Sequence, residues 1–235
     1  DITHLNNEIR KSKLLGKKLF SVVATFGTTI RGSIDPIYEI GNICKDNNIW
    51  LHIDGSIGGI FAISNYKFHD IKEIDNLNIA NSITINPQKI LGITKTSSIL
   101  LVDDMNKLKK AFYTGLPYID SSDDVLNRGE LGVQGSRPAE IIKLWLGLKF
   151  LGKDGIDSIL NSSIRKKFLF ENILDKNKFY VYSGSLHIIS FEPKNMNINQ
   201  INTWSIKLKK ILLENKIMIS RPLHKNRYIL RVVFG

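Results

Sequence analysis

An acid and an amine stand out by type and spacing: Asp54, in Leu51-His52-Ile53-Asp54-Gly55-Ser56, and Lys89, in Asn86-Pro87-Gln88-Lys89. The stretch between them reads as one helix and one strand. In an open α/β sheet, groups at the carboxyl ends of neighbouring strands converge on one crevice, where ligands bind. A lysine amine there can form a Schiff base with a carbonyl, and a carboxylate can hold a protonated ring nitrogen. Taken alone, a lysine after Asn-Pro reads as a surface residue and an aspartate before Gly-Ser as a turn cap. Together they meet the needs of pyridoxal phosphate chemistry, in which an acid keeps the ring an electron sink.

The surrounding pattern predicts the elements that must position these two groups. Residues 1–18 read as a helix with apolar positions Leu5, Ile9 and Leu14, and Phe20 to Thr25 as a buried strand ending at the loop Gly27-Thr28-Thr29. Asp35-Pro36 predicts a helix start with the aspartate as cap, and Ile37, Ile40, Ile43 and Cys44 recur at helical spacing. Ile49 to Ile53 then reads as the next strand, so that strand, helix and strand form a βαβ unit, the mark of a parallel sheet. A helix over Tyr66 to Leu77 and strands over Ser82 to Ile85 and Ser97 to Val102 continue the alternation, with the polar motifs falling repeatedly at strand carboxyl ends.

From Asp120 to Gly135 the chain is polar and reads as a mobile loop. Helices are predicted over Ile141 to Leu151, Ile156 to Asn172 and Ile198 to Asn215, with strands near Tyr180 to Tyr182, His187 to Phe191 and Tyr228 to Phe234. This second half has the character of a smaller α+β domain.

The chain has 235 residues, of which 43% are hydrophobic and 23% charged, enough to bury a sizeable core. Its net charge of +11 raises a nucleic-acid or membrane surface as an option. The basic residues are scattered among Asn and Ile, however, and no zinc-finger spacing, RNA-binding aromatic signature or long basic run accompanies them, so no nucleic-acid partner is expected. No run approaches the roughly 18 apolar residues of a membrane span, and no signal-peptide pattern is visible. The single cysteine, Cys44, reads as a small core residue in a cytoplasmic protein. No metal-ligand spacing is present, so no metal is expected.

Five ordered segments carry a family likeness. Leu51-His52-Ile53-Asp54-Gly55-Ser56-Ile57-Gly58-Gly59 resembles the aspartate motif of the group II pyridoxal-phosphate-dependent amino-acid decarboxylases, and Asn86-Pro87-Gln88-Lys89 resembles their Asn-Pro-His-Lys motif. The other three are Ala24-Thr25-Phe26-Gly27-Thr28-Thr29 with Gly32-Ser33-Ile34-Asp35-Pro36, Gly135-Ser136-Arg137-Pro138 with Lys143-Leu144-Trp145, and Leu230-Arg231-Val232-Val233. Glutamate, cysteine-sulfinate and aromatic-L-amino-acid decarboxylases belong to that family.

The resemblance implies an α/β chain with the type I fold of the pyridoxal-phosphate-dependent transferases. Residues 1–140 would be the C-terminal part of the large domain, with its mixed, mostly parallel sheet, and 141–235 a small α+β C-terminal domain, truncated at its end. Both chain ends read as cut, the expectation for a fragment. The implied activity is decarboxylation of an L-amino acid to its amine by a homodimer, with pyridoxal 5′-phosphate as cofactor and Lys89 as the lysine that holds it. Asp54 would partner the pyridine nitrogen, Thr29 lie near the ring's phenolic oxygen, Ser56 pack against the ring, and Asn86 lie near the phosphate. Gln88 completes the set, His52 reads as a structural partner beside Asp54, and Arg137 would anchor the domain junction near the partner's cofactor. Arg231 stays open between gripping the substrate α-carboxylate and a structural pairing.

Two departures from the pattern stand within the chain. Gln88 occupies the usual place of histidine, and an amide cannot share a proton. No Tyr or Phe occurs between Asp120 and Ser136, where relatives often carry a tyrosine that protonates the intermediate. These leave open a related pyridoxal phosphate lyase, a decarboxylation-dependent aldehyde former, or a non-catalytic fragment.

Overall fold

The computed structural model describes residues 1–65, 68, 71–95, 97–113, 115, 128–136 and 138–235. The first helix, α1 (Ile2–Leu14), is capped by Asp1, whose side chain accepts the His4 N–H. It leads to β1 (Ser21–Thr25), α2 (Ile37–Asp46), β2 (Trp50–Gly55), β3 (Ser82–Ile85), β4 (Ile99–Val102) and α3 (Met105–Phe112). The second half runs through α4 (Glu140–Ile173), β5 (Phe179–Ser183), β6 (Ile188–Pro193), α5 (Ile198–Glu214), β7 (Leu223–His224), β8 (Arg227–Tyr228) and β9 (Leu230–Val233).

Strands β1 to β4 form one sheet in sequence order: β1, β2 and β3 run parallel and β4 is antiparallel to β3. The register sets Thr25 beside Asp54 and Asp54 beside Thr84. Alternation along the strands separates two faces. Ala24, Leu51 and Ile53 are buried under α2 in a cluster with Ile37, Ile40 and Cys44. Each such fully buried Leu or Ile contributes about 1.5–3 kcal/mol. The opposite face carries His52, Asp54, Ser82 and Thr84 and lies open toward β1 and β4, where Val23 is 61% and Leu100 53% exposed. The reading of Phe20 to Thr25 as a wholly buried strand is thereby corrected: α2 covers one face only.

Three further expectations change. Asp35 does not cap α2, which starts at Pro36 without a side-chain cap. Its carboxylate instead accepts the Thr25 N–H at 2.7 Å, tying the strand end to the returning loop. In place of one helix over Tyr66 to Leu77 there are 3₁₀ turns at Gly59–Ile63 and Lys72–Ile79, while 66, 67, 69 and 70 lie outside the described residues. The two helices expected after Ile141 join as α4, broken at Gly152, whose φ of 59° and ψ of −176° are non-helical and suit a residue without Cβ. Most of the expected loop from Asp120 to Gly135, and Arg137, lie outside the described residues.

The second sheet orders β5, β6 and β9 antiparallel, with β7 and β8 as a separate pair. Its own core gathers Ile189, Phe191, Ile219 and Leu230 against Phe170, Phe179 and Trp204. Helix α4 serves both clusters, with Leu144, Ile156 and Leu160 in the first and Phe170 in the second. Among the described residues no helix is long and apolar enough to cross a membrane.

Candidate active site

Leu186, fully buried ahead of β6, joins the two halves at the strand ends. A Cβ on Gly27 would lie 2.7 Å from Leu186 Cδ1, and one on Gly58 would run into the Phe26 carbonyl as well as Leu186. Gly27 also has a φ of 114°. Both positions therefore require glycine, which lets the loops after β1 and β2 close against Leu186 and fixes where Thr29 and Ser56 stand.

Asp54 lies near the carboxyl end of β2, where its Oδ1 accepts both the Ser56 hydroxyl at 2.6 Å and the Ser56 N–H at 3.1 Å. The Ser56 hydroxyl bond is the main reason its pKa lies below the usual carboxylate value. Burial opposes that, while the Ser56 N–H and the charges of Lys89 and His52 add to it. Oδ2 takes no hydrogen bond among the described residues. Lys89 ends the 3₁₀ turn Pro87–Lys89, which follows β3, the neighbour of β2. The register sets Asp54 beside Thr84, five residues before Lys89, so the two groups sit toward the carboxyl ends of adjacent strands. Lys89 is exposed rather than desolvated.

His52 is held by β3. Its Nδ1 lies 2.8 Å from Ser82 Oγ and its Nε2 3.2 Å from Thr84 Oγ1. Ser82 Oγ also accepts from Trp50 Nε1 at 2.9 Å, and an indole can only donate. The Ser82 hydroxyl can meet Nδ1 either by donating its own proton or by accepting on its second lone pair. With both nitrogens engaged, only the faces of the ring remain available to a ligand.

Arg231, on β9, reaches the loop after β1: its Nη1 donates to the Thr29 carbonyl at 2.9 Å and its Nε to Ser220 Oγ at 2.9 Å. Burial lowers its pKa from the usual arginine value. Among the described residues Nη2 takes no partner. Asn86 and Gln88 bind the start of β4: Asn86 Oδ1 accepts the Ser98 hydroxyl at 2.6 Å, and Gln88 Oε1 accepts the Ser97 N–H at 3.0 Å. The expected set thus falls at the ends of β1, β2 and β3, joined by Arg231 from the second sheet. Sequence reasoning missed the hydroxyl groups of Ser82, Thr84, Ser97, Ser98 and Ser220 that hold it. The pair Ser97-Ser98 at a strand start was the one visible signal.

His187, just ahead of β6, is a buried titratable group. It is 2% exposed, stacks on Phe61 with ring centroids 5.7 Å apart, and its Nδ1 has no partner among the described residues. Burial pushes its pKa down from 6.5 to about 4. Between those values the unfolded chain binds the proton and the folded one does not, so stability falls as pH drops from 6.5 toward 4 and is restored above 6.5. The loss at full effect is about 3 kcal/mol. Denaturant midpoints at pH 5 and pH 7 will show this loss in the wild type and a smaller one in His187→Leu; equal losses would refute the assignment.

The chain resembles known proteins along its length. Residues 2–193 match the pyridoxal-dependent decarboxylase conserved domain. An aromatic-L-amino-acid decarboxylase of Bacillus atrophaeus is 29% identical, the match covering 98% of this chain and 50% of that protein. The acidic amino acid decarboxylase GADL1 of Xenopus tropicalis is 32% identical over 74% of this chain and 35% of its own length. The chain therefore spans half or less of the curated relatives it matches. Among solved structures, mouse CSAD superposes with a TM-score of 0.86 at 24% identity, covering all of this chain and 52% of that one. Oryza sativa TDC, solved with PLP and tryptamine, superposes with a TM-score of 0.88 at 20% identity, covering all of this chain and 50% of that one. With a fold shared along its whole length and a family match over most of it, this chain belongs to the pyridoxal-dependent decarboxylase family.

Proposed function

We propose that this chain carries the lysine and aspartate side of a pyridoxal 5′-phosphate-dependent carboxy-lyase that converts an L-amino acid to its amine. The observation that supports it most is the convergence of Lys89 and Asp54 beyond adjacent strands, with the lysine's charge acting on the carboxylate. The donor set fits the cofactor. Asp54 keeps one oxygen on Ser56 and the other unpartnered among the described residues, as a ring N–H requires, and the Lys89 amine makes no hydrogen bond or ion pair there. When bound, pyridoxal phosphate supplies an electron-withdrawing ring that takes up the electrons of the bond to the departing carboxylate.

In this reading Lys89 would hold the cofactor and Asp54 would accept the ring N–H. Ser56 holds the Asp54 carboxylate in place, and Thr29 would stand near the ring. Arg231, already tied to the Thr29 carbonyl, offers Nη2 to the substrate α-carboxylate. The whole protein supplies the remaining walls, and we propose that it works as a homodimer in a reducing cytoplasm, consistent with a lone buried thiol at Cys44. The proposed division into 1–140 and 141–235 follows the two sheets.

The test is product analysis of the full-length protein with pyridoxal phosphate and a panel of L-amino acids. Carbon dioxide and amine in equal amounts are expected. Aldehyde with ammonia would favour the aldehyde-forming alternative, which the absence of Tyr and Phe between Asp120 and Ser136 motivates. No turnover of any amino acid would refute the enzymatic reading.

A further inference from the structure

The turn that presents Lys89 is tied down on both sides of Pro87. Asn86 and Gln88 send their side-chain carbonyls to two successive residues of the returning chain, Ser98 and Ser97. Within the turn, the Lys89 N–H bonds the Asn86 carbonyl at 3.1 Å and the Leu91 N–H bonds the Pro87 carbonyl at 3.0 Å. Pro87, Ile90 and Leu91 are buried beneath it. The Lys143 ammonium holds the same returning segment through the Lys95 carbonyl at 2.9 Å. The two side-chain bonds form a bracket across the turn, and neither contains a group that titrates near neutral pH.

From this we infer that Asn86 and Gln88 are positioning residues, whose side-chain carbonyls clamp the Lys89 turn to Ser97 and Ser98 and keep its placement independent of pH. The inference rests on the reading of Lys89 as the cofactor lysine. It also gives a physical content to the glutamine at a position where the resemblance expects histidine. A neutral imidazole could accept the Ser97 N–H, but a protonated one has only donors. An amide accepts at every pH.

The experiment uses the full-length protein loaded with pyridoxal phosphate and has two readouts: amide hydrogen exchange in the peptide carrying Ser97, and the rate of cofactor loss followed by absorbance. In Gln88→Leu the exchange quickens about fivefold, the value of one uncharged hydrogen bond, and cofactor loss quickens with it. In Gln88→His the ratio of cofactor-loss rates, variant over wild type, rises as pH falls through about 6.5. Ser98→Ala, at an exposed position where misfolding is not expected, also speeds cofactor loss, and Ser98→Thr restores it.

Faster exchange with unchanged cofactor loss would reduce the bracket to a structural tie and overturn the inference. So would a pH-independent ratio in Gln88→His, or wild-type exchange in Gln88→Leu. Lys89→Ala, measured alongside, separates the two ideas: if it holds cofactor as the wild type does, the cofactor reading fails, while Ser97 exchange still reports on the bracket.

Discussion

Replacing Lys89 by alanine in the full-length protein abolishes the visible absorbance of bound pyridoxal phosphate and lowers turnover by about 10³-fold, the middle of the range for removing a group that acts directly at a reacting centre. The fold is expected to survive. Lys89 is exposed and its amine has no hydrogen bond or ion pair among the described residues, so its removal belongs with surface substitutions that shift stability by no more than about 0.5 kcal/mol. The turn keeps its shape through Pro87, Ile90 and Leu91, none of which the substitution touches. Loss of absorbance together with an unchanged denaturation midpoint is the signature of a chemical role. Retention of the absorbance, or turnover near that of the wild type, would remove the lysine from the site.

Asp54→Asn separates charge from shape. The asparagine carbonyl can still accept the Ser56 hydroxyl and N–H, so the turn after β2 is retained and cofactor stays bound through Lys89. What disappears is the negative charge that keeps a ring nitrogen protonated, and turnover is expected to fall by about 10²–10³-fold, the effect of deleting one preorganised electrostatic contact. The substrate KM should change little, because Asp54 acts on the ring and not on the amino acid. The same carboxylate has a lowered pKa in the folded protein, so it stabilises the fold above the ordinary carboxylate range, and that contribution is lost as pH falls through its folded value. Asp54→Asn should therefore flatten the acid limb of the stability profile. Full turnover in the variant would overturn the assignment of Asp54 to the ring nitrogen.

The element order was largely legible because hydrophobic periodicity survives without tertiary information. Ser82 to Ile85 was found at its true bounds, and β1, α2, β2, β6 and α5 within about two residues. Misreadings occurred where local signals compete. Asp35 carries a cap's chemistry, but Thr25 lies opposite and its N–H claims the carboxylate. Phe20 to Thr25 has the composition of a buried strand, yet burial depends on what covers each face, which no single strand records. Helix α3 and the short pair β7 and β8 were not anticipated, being only eight and two residues long.

By itself the sequence determined the family, the strand-end placement of Asp54 and Lys89 and the order of elements around them, because motif spacing and apolar period are properties of the linear chain. Only the tertiary structure decided that Ser56 and Lys89 both act on one carboxylate, that β3 hydroxyls hold His52, that Arg231 bonds the Thr29 carbonyl, and that Leu186 closes both glycine loops. The Arg231 bond to Thr29 spans 202 positions along the chain and the His52 contacts 30 and 32 strand to strand. Side-chain partners at such separations are set by sheet register and loop closure, which arise when the parts pack and are written in no local stretch of residues.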